Sequence, residues 1–287
     1  MISVIIPTFN RGSLITETIE SILNQTYKDF EIIVIDDQST DNTFEIVSNY
    51  IKDCTKIRYY KRPENLIKGG NSCRNFGLSI AMGEYVKWID SDDLLYPSAL
   101  FDQVESLQHS DFDLSICESV IFKDAANQEP IGKWGNIHSE ENLSNFISSQ
   151  FRWHTASGLW RKSFFKTSKV WKEGLTNSQE WLMHLTQLLN QVKIVKVEKA
   201  LCLIRSHSGS MSNKSNKSGA YYFNECYARF LAIEALCENN ILLSAQAKQK
   251  IVKQFFVYQF FILYKGSIVC FLNSFKFYPS IILFIIK

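Results

Sequence analysis

Short, continuous apolar runs alternate with segments of helical apolar spacing over roughly the first 110 residues, and this alternation is the strongest constraint on the fold. Residues 2–6, 30–35 and 85–89 are apolar at nearly every position, as expected of strands buried on both faces. Between the first two runs, Ile15 and Ile19 lie on one helical stripe. Strands that alternate with helices predict a mostly parallel sheet with helices on both faces.

Capping and turn residues predict where these elements begin and end. Gly12-Ser13 predicts the start of the first helix, Asn42 with Glu45 the start of the second, and Gly83 the end of a third near residues 71–82. Further predicted elements are strands at 57–60, 112–116 and 192–197, an extended segment at 153–163, a helix at 180–189, loops at 123–140 and 206–219, and helices after residue 220.

Composition and charge exclude several classes of protein. With 46% hydrophobic and 21% charged residues among 287, the chain can bury a large core and is not disordered. A net charge of +2 gives no indication of a nucleic-acid partner. The seven cysteines form no C-x-x-C pair, and their odd, scattered number favours a reduced compartment over disulfides or a zinc site. No leader pattern precedes the first strand, so we expect a cytoplasmic protein.

An acidic cluster, Asp90-Ser91-Asp92-Asp93, follows the run at 85–89. Like charges this close repel unless a cation lies between them. A hard divalent ion with oxygen ligands, Mn²⁺ or Mg²⁺, is the simplest such cation, and it usually accompanies a phosphate. The alternative is a helix N-cap followed by a solvated acidic turn.

Polar residues also follow the first two strands. Residues 7–11 are Pro-Thr-Phe-Asn-Arg, and residues 36–39 are Asp-Asp-Gln-Ser. Because open parallel sheets bind ligands at the carboxyl ends of their strands, three such ends predict a polar ligand with a charged part. Neither a glycine-rich dinucleotide motif nor a P-loop is present. Phosphates would then need a metal and an arginine, for which Arg74 is the candidate; its alternative is a surface position on a helix.

These motifs together resemble family 2 glycosyltransferases of the GT-A fold. Residues 3–11 and 21–41 look like the opening segments of that family, and the acidic cluster matches its D-x-D signature. The similarity covers residues 1 to about 100, weakens through 120–170 and is faint after about 215.

The resemblance implies an α/β fold: a Rossmann-like, mixed, mostly parallel sheet with helices on both faces, plus a C-terminal helical extension. It implies a catalytic domain at 1–215, with a nucleotide-binding half at 1–110 and an acceptor half at 111–215, and an aromatic-rich extension at 216–287. The implied reaction is inverting transfer of a sugar from a nucleotide-diphosphate sugar, first of all a UDP-sugar, to an acceptor hydroxyl with Mn²⁺ or Mg²⁺. The expected acceptor is a glycan or lipid-linked glycan of bacterial surface polysaccharide synthesis.

The family's donor-site residues carry over position by position. Pro7, Thr8 and Phe9 are expected to wall the nucleobase, and Asp37 to accept a hydrogen bond from it. Asp92 is expected to ligate the metal. The other expected donor-site residues are Asn10, Arg11, Asp36 (structural or near the ribose), Arg74, Asp90 (near the ribose and the metal) and Ser91.

Several residues near these motifs keep two interpretations. His207, just before a Ser-rich stretch, is expected to join the metal or the phosphate, while Asp93 caps the next helix or lies behind the metal ligands. Trp153, His154 and Trp160 either line the acceptor site or pack in the core.

Glu180 falls where the family has its catalytic Asp, at the start of a helix in the second half. It is one methylene longer, so a carboxylate base survives with a different reach. A general base contributes roughly 10²–10⁴-fold to the rate. The alternative is an N-terminal helix Glu that interacts with the helix dipole.

The C-terminal residues 251–287 are rich in Phe, Tyr, Ile and Leu, but Lys265-Gly266 and Lys276 interrupt them. A spanning helix needs roughly 20 continuous apolar residues. The stretch predicts either an in-plane segment at the inner face of the cell membrane or a helix packed on the domain or on a partner chain, which leaves a homo-oligomer open.

Two other functions stay open. A metal-dependent nucleotidyltransferase also uses carboxylates at strand ends, although the glycine- and lysine-rich N-terminal segment typical of that class is absent. A degenerate GT-A domain that only binds nucleotide or scaffolds an assembly is compatible with Glu at position 180. The residues do not specify the donor sugar, the acceptor or the linkage.

Overall fold

The computed structural model describes residues 1–123, 129–206 and 217–286. Its strands are β1 (Ile2–Thr8), β2 (Phe30–Asp36), β3 (Ile57–Lys61), β4 (Tyr85–Trp88), β5 (Leu94–Leu95), β6 (Leu114–Phe122), β7 (Gly132–Trp134), β8 (Gly158–Arg161) and β9 (Ile194–Arg205). Its α-helices are α1 (Ile15–Leu23), α2 (Thr43–Asp53), α3 (Gly70–Ile80), α4 (Ala99–Leu107), α5 (Leu143–Ile147), α6 (Gln179–Leu189), α7 (Gly219–Glu238), α8 (Ala245–Tyr264), α9 (Ile268–Ser274) and α10 (Tyr278–Ile286).

The chain divides into two compact units. The first contains Met1–Ile137, Trp153–Gly174 and a segment that begins at Val192; the second contains His138–Arg152, Leu175–Gln191 and the C-terminal segment. The described strands and α1 to α4 therefore belong to the first unit, and α5 to α10 to the second. The expected boundary between residues 215 and 216 lies outside the described residues.

The strands of the first unit form one mixed sheet in the order β3-β2-β1-β4-β8-β6-β9-β5, with β7 paired to β6. β1 pairs in parallel with β2 and β4, β2 with β3, and β6 with β9. The other ladders, which are shorter, are antiparallel. The predicted mixed, mostly parallel sheet is confirmed.

Both faces of the sheet are covered by helices. Every residue of β1 and β2 is buried, which accounts for their continuous apolar runs. On one face, Val4 packs in a core cluster with Ile19 of α1 and Leu100 of α4. On the other face, a Cβ at Gly77 of α3 would lie 2.4 Å from Ile5, so α3 approaches β1 closely only because residue 77 is glycine.

A buried polar network joins the amino-terminal halves of the first strands. Ser3 donates to one carboxylate oxygen of Glu31 at 2.6 Å, and Arg58 pairs with the other. Gly83 donates its N–H to the Ser3 hydroxyl at 2.8 Å, and a Cβ at position 83 would lie 2.6 Å from the Ser3 nitrogen. Gly83 therefore permits a close approach of β1, whereas α3 already ends at Ile80.

Some predicted boundaries are wrong because long-range contacts decide them. The first helix begins at Ile15 rather than at Gly12, whose N–H donates to the Asp41 carboxylate at 3.0 Å. Asp41, not Asn42, also binds the first residue of α2. The predicted loop at 123–140 contains β7, and the predicted strand at 192–197 extends to Arg205, because both pair with β6.

The second unit is built from helices in the part of the chain that the structure describes, which confirms the C-terminal helical extension. The hydroxyls of Ser218 and Ser244 accept hydrogen bonds from backbone N–H groups at the starts of α7 and α8. The segment Ile268–Ile285 is long and apolar enough to cross a membrane, with a mean hydropathy of 1.8, and 22% of it is buried. Buried helices of soluble proteins meet the same criterion.

Candidate active site

The carboxyl ends of β1, β2 and β4 meet at one edge of the sheet, as predicted. Thr8 at the end of β1 pairs with Asp36 at the end of β2. Ile89, directly after β4, donates its N–H to the Ile5 carbonyl at 3.1 Å. The three polar segments that follow these strands therefore lie side by side within the first unit.

Hydrogen bonds join the segment after β1 to the segment after β2. Asn10 donates its N–H to the Ser39 hydroxyl and accepts from the N–H of Thr40, both at 2.8 Å. Asn10 has a φ of 51°, a conformation that Asn adopts more readily than most residues. The shape of the loop after β1 therefore depends on residues after β2, and a ligand contact of Asn10 stays a prediction.

The residues expected to wall a nucleobase differ in exposure. Pro7 and Thr8 are buried, and the Thr8 hydroxyl has no hydrogen-bond partner within the described ranges. A buried hydroxyl that lacks a partner costs about 1–3 kcal/mol, which a ligand atom would recover. Phe9 is 41% exposed, and the Lys68 ammonium lies 4.6 Å from the centroid of its ring. The ring face is thus accessible to a flat or cationic partner.

Asp36 and Asp37 are adjacent but hold different partners. Asp36 accepts from the N–H and hydroxyl of Ser39 at 2.9 and 2.6 Å, and from the Tyr59 hydroxyl. Asp37 pairs with Nε of Arg62, which is itself buried and donates to two backbone carbonyls. Asp36 therefore ties the loop after β2 to β3, whereas Asp37 is a carboxylate held in place by a charged partner.

Arg74 is buried in the second turn of α3 rather than exposed on the helix surface. Its Nη2 donates to Oδ1 of Asp90 at 2.7 Å, and its guanidinium lies 4.6 Å from the centroid of the Trp171 ring. Desolvation acts to raise the pKa of the Asp90 carboxyl, but Arg74, assisted by His154, holds that pKa below its ordinary value. Asp90 is therefore kept ionised.

Asp93 does not cap a helix, contrary to one of the expectations for it. The strand β5 follows directly, and α4 begins only after Ser98. The Asp93 carboxylate is 3% exposed and accepts from the N–H of Arg205 at 3.0 Å. Burial, and then the charges of Asp92 and Asp90, raise the pKa of Asp93 well above its usual range. A carboxyl in this setting is either protonated or paired with a cation.

The turn that carries Asp92 is bound by arginines. Oδ2 of Asp92 lies 3.6 Å from Nε of Arg11. The Asp92 backbone carbonyl accepts from Nε of Arg205, which also pairs with Glu17 of α1 at 2.8 Å. Ser91 is buried within the same turn. Arg205, at the end of β9, thus fixes the turn that presents the acidic residues.

A candidate metal centre is formed by Asp90, Asp93 and His154. One ligand atom from each lies within 4.8 Å of the others. Nδ1 of His154 is 3.9 Å from Oδ2 of Asp93, and the Trp134 ring packs edge-on against the imidazole at 4.9 Å. Two carboxylates and an imidazole suit Mn²⁺ better than Mg²⁺, which prefers oxygen ligands alone. The residues present therefore fit a divalent transition metal.

This group differs from the ligand set implied by the family resemblance. Asp92 is not one of the three residues that the structure groups in the part of the chain it describes. His207 lies outside the described residues. Asp90 is common to both sets, and the metal roles of Asp92 and His207 stay predictions.

Glu180 lies in the second unit, in the first turn of α6, and is half-buried. Ser178, two residues before Glu180, has a φ of 51° and does not cap the helix with its side chain. A carboxylate is therefore present at the N-terminus of this helix, as predicted, and its role as a base stays a prediction.

Trp153 and Trp160 belong to the core rather than to an acceptor surface. Each is 1% exposed, and the Trp160 ring packs against Phe165 with centroids 5.2 Å apart. The structure therefore supports core packing for both tryptophans. Their neighbour His154 lies instead with the acidic residues.

The sequence did not single out Arg62. Arg205 belongs to the segment before the Ser-rich stretch that resembles the family, but it was given no role, and His154 was expected at the acceptor site or in the core. Both arginines lie at or just after the ends of sheet strands, β3 and β9. Their positions could have been found by extending the strand-end argument to these two strands. His154 follows no strand and belongs to no periodic pattern, so its proximity to Asp93 is visible only in three dimensions.

Known proteins resemble this chain in sequence. The family described as Glycosyl transferase family 2 matches residues 3–166. A Campylobacter jejuni protein, the GalNAc(5)-diNAcBac-PP-undecaprenol beta-1,3-glucosyltransferase, is 30% identical over 250 residues, which cover 87% of this chain and 78% of that protein.

Solved structures share the fold. Staphylococcus aureus TarS 1-349 in complex with UDP-GlcNAc aligns with a TM-score of 0.73 at 22% identity, over 98% of this chain and 81% of that one. The mannosyltransferase PcManGT from Pyrobaculum calidifontis, in complex with GDP-Man and Mn²⁺, aligns with a TM-score of 0.58 at 15% identity, over 97% and 74%. Because the family matches more than half of the chain and the C. jejuni relative aligns over most of both lengths, the chain belongs to glycosyltransferase family 2 and has the GT-A fold.

Proposed function

We propose that this glycosyltransferase transfers a sugar from a UDP-sugar to a hydroxyl of a lipid-linked glycan, with inversion at the anomeric carbon and with Mn²⁺ as its metal. The observation that carries the proposal is the convergence of three features at one sheet edge. They are the Thr8 hydroxyl, which lacks a partner in the described part of the chain, the Arg62-held Asp37, and the group of Asp90, Asp93 and His154.

The nucleobase is assigned to the Thr8, Phe9 and Asp37 side of this edge. Arg62 occupies Oδ1 of Asp37, which leaves Oδ2 to accept the N–H of a uracil ring. The exposed face of Phe9 offers a surface on which the base can stack. Lys68, which now lies over the Phe9 ring, would then contact the base or move to a phosphate. The TarS structure with UDP-GlcNAc supports uracil as the base.

The divalent ion is assigned to Asp90, Asp93 and His154, with Asp92 as the further ligand that the family resemblance favours. When bound, Mn²⁺ would neutralise charge on the leaving diphosphate. The raised pKa of Asp93 supports a cation here, because a positive charge would offset the burial and the two neighbouring carboxylates. The PcManGT structure with Mn²⁺ supports the choice of ion.

Glu180 is assigned as the general base. It takes the proton of the acceptor hydroxyl as the oxygen forms a bond to the anomeric carbon. The bond from that carbon to the diphosphate oxygen breaks on the opposite side, and the nucleoside diphosphate leaves with the electron pair. No covalent bond to the protein forms, so the configuration inverts. A general base of this kind supplies roughly 10²–10⁴-fold in rate.

The acceptor and location are assigned from the C-terminal helices and the relatives. The C. jejuni relative is named for a glycan linked to undecaprenol through a diphosphate. Helices α8 to α10 expose many large apolar side chains, including Phe256, Phe260, Tyr264, Ile268, Leu272 and Ile282. Residues 245–287 also carry lysines but no Asp or Glu. An apolar, cationic surface fits an anionic phospholipid surface, so we place the protein in the cytoplasm, peripheral to the inner face of the membrane through residues 251–287.

Product analysis tests this proposal. The full-length protein is incubated with a panel of UDP- and GDP-sugars and Mn²⁺, and the released nucleotide and the anomeric configuration of the product are determined by chromatography and NMR. We expect UDP, an inverted product, loss of turnover in EDTA, and a rate that is roughly 10²–10⁴-fold lower but still measurable in Glu180→Gln. Pyrophosphate would indicate nucleotidyl transfer. Nucleotide binding with no turnover would indicate a binding domain, and full turnover in EDTA would exclude a metal.

A further inference from the structure

A buried charged cluster in the second unit contacts residues on both sides of Glu180. Arg229 of α7 donates from Nη1 to the Glu225 carboxylate at 2.9 Å and to the Ser178 hydroxyl at 2.5 Å. The Ser178 hydroxyl in turn donates to Glu225 at 2.8 Å. The Arg229 guanidinium also lies 4.3 Å from the centroid of the Trp181 ring. Ser178 lies two residues before Glu180, and Trp181 lies directly after it.

Ser178 holds a backbone conformation that serine disfavours. Its φ of 51° and ψ of 24° lie in the left-handed region, where a non-glycine residue costs roughly 1–2 kcal/mol. Such conformations persist only where the surroundings impose them, and they cluster at functional sites. The Ser178 carbonyl nevertheless accepts a bond from the N–H of Leu182 at 3.0 Å, so this residue sets the first turn of α6.

The Ser178 hydroxyl does not perform the role that is usual for its position. Serine at a helix N-cap normally accepts a hydrogen bond from a backbone N–H of the first turn. Here the side chain makes no cap bond, and its hydroxyl bridges Arg229 and Glu225 instead. The start of α6 is therefore set by a tertiary contact with α7 rather than by local capping.

Stability alone is a weak reason for this cluster. Glu225 and Arg229 are 5% and 6% exposed, and buried ion pairs are often no more stabilising than apolar residues of similar volume. Orientation is the better explanation, because the planar guanidinium donates to Ser178 while its face contacts Trp181. The same group therefore restrains the backbone before Glu180 and the side chain after it.

We propose that Arg229, oriented by Glu225, is a positioning residue for the carboxylate of Glu180. It acts through Ser178 and Trp181 and does not touch the reacting atoms. The inference rests on the proposed function of Glu180 as the base, and it adds residues from α7 to the machinery of the reaction.

Single substitutions, and then the same substitutions in a Glu180→Gln background, test this proposal. Release of nucleoside diphosphate is measured with the UDP- or GDP-sugar that the wild type turns over, together with the melting temperature. We expect Ser178→Ala to lower kcat about tenfold and Arg229→Met about 100-fold, since a shift near 1 Å in a reacting group costs this much. The donor KM stays near the wild-type value. Arg229→Lys, which keeps the charge but not the planar fork, recovers only part of the loss.

The Glu180→Gln background separates positioning from folding. If Arg229 acts through the Glu180 carboxylate, Arg229→Met lowers kcat no further once that carboxylate is gone, although it lowers the melting temperature by the same amount. An equal fold-loss in both backgrounds would overturn the positioning role. Wild-type kcat in Glu180→Gln alone would instead show that the base is misassigned, which is a failure of the proposed function.

Ser274→Ala is the matched control. Ser274 is a fully buried serine of the same helical unit, and its hydroxyl accepts from Gln259 at 2.8 Å. We expect this variant to lower the melting temperature as much as Ser178→Ala while leaving kcat unchanged. A similar loss of kcat in both variants would assign the effect to general loosening of the unit.

Discussion

Nη2 of Arg74 lies 2.7 Å from Oδ1 of Asp90, and this ion pair joins the second turn of α3 to the segment that follows β4. The Arg74 side chain is 10% exposed and the Asp90 side chain 38%, so the pair is less screened by water than a surface pair. Gly77 lets α3 approach β1 closely. The packing of α3 on the sheet therefore orients the first carboxylate of the acidic cluster.

Replacing Arg74 should impair the donor site more than the fold. Arg74→Lys keeps a charge but loses the planar fork that donates to both Asp90 and Asn71, and the stacking on Trp171. We expect kcat/KM for the UDP-sugar to fall at least tenfold with a small change in melting temperature. Lys193→Ala, which breaks an exposed ion pair with Asp111, should leave both unchanged. Equal kinetics for Arg74→Lys and wild type would refute the role.

Single substitutions distinguish the two candidate ligand sets for the metal. If Asp90, Asp93 and His154 hold Mn²⁺, His154→Ala weakens Mn²⁺ binding about 10- to 100-fold, and His207→Ala has little effect. If the family pattern applies instead, His207→Ala weakens Mn²⁺ binding, His154→Ala has little effect, and Asp92→Asn abolishes turnover. The Mn²⁺ affinity is measured by electron paramagnetic resonance in the presence of UDP. Unchanged Mn²⁺ affinity in all three variants would mean that none of His154, His207 and Asp92 is a ligand of the ion.

The two adjacent acids after β2 should separate into binding and folding roles. We expect Asp37→Asn to weaken UDP binding at least tenfold, because the single amide oxygen would stay with Arg62 and the NH2 group would face the N–H of the base. Asp36→Asn disturbs the bonds to Ser39 and Tyr59 and should chiefly lower the melting temperature. Calorimetric titration with UDP and thermal unfolding check both expectations, and a reversed pattern would contradict the assignment.

The Glu31 network should contribute stability without affecting catalysis. Glu31→Ala removes the acceptor of the Ser3 hydroxyl, the Met82 N–H and Arg58. Because it leaves a partly buried charge without its partner, we expect the free energy of unfolding to fall by about 3 kcal/mol. Urea denaturation measures this change, with exposed Glu105→Ala as the control. An unchanged unfolding midpoint would mean that solvent replaces the network at no cost.

The surface of α8 to α10 should bind anionic membranes. Phe260 and Leu272 are 62% and 59% exposed, and a Phe260→Glu, Leu272→Glu double variant should no longer float with vesicles of phosphatidylcholine and phosphatidylglycerol. Leu242→Glu changes an equally apolar residue, 92% exposed, between α7 and α8 and should float like the wild type. Wild-type flotation by the double variant contradicts the membrane assignment. If the wild type and Leu242→Glu form a dimer in solution and the double variant does not, a second copy of the chain covers this surface.

Local patterns were sufficient for the strands β1 to β4, whereas β5 and α4 were not predicted. A strand buried on both faces is apolar at nearly every position, so β1, β2 and β4 were recognisable along the chain. The polar residues at their carboxyl ends, Thr8, Asp37 and Asp90, were predicted to lie together because parallel strands end at one edge of a sheet. The later strands were less well predicted, since β7 and most of β9 are held by pairing with β6 rather than by their own pattern.

The fold class, the family and the residues at the strand ends thus follow from the amino-acid sequence alone. Which of those residues pair with one another depends on long-range contacts. Arg62 with Asp37, Arg205 with the turn of the acidic cluster, and His154 with Asp93 are contacts between distant positions. The physical reason is that periodicity and capping act within a few residues, whereas partner choice depends on strand register and on which buried charges must be neutralised.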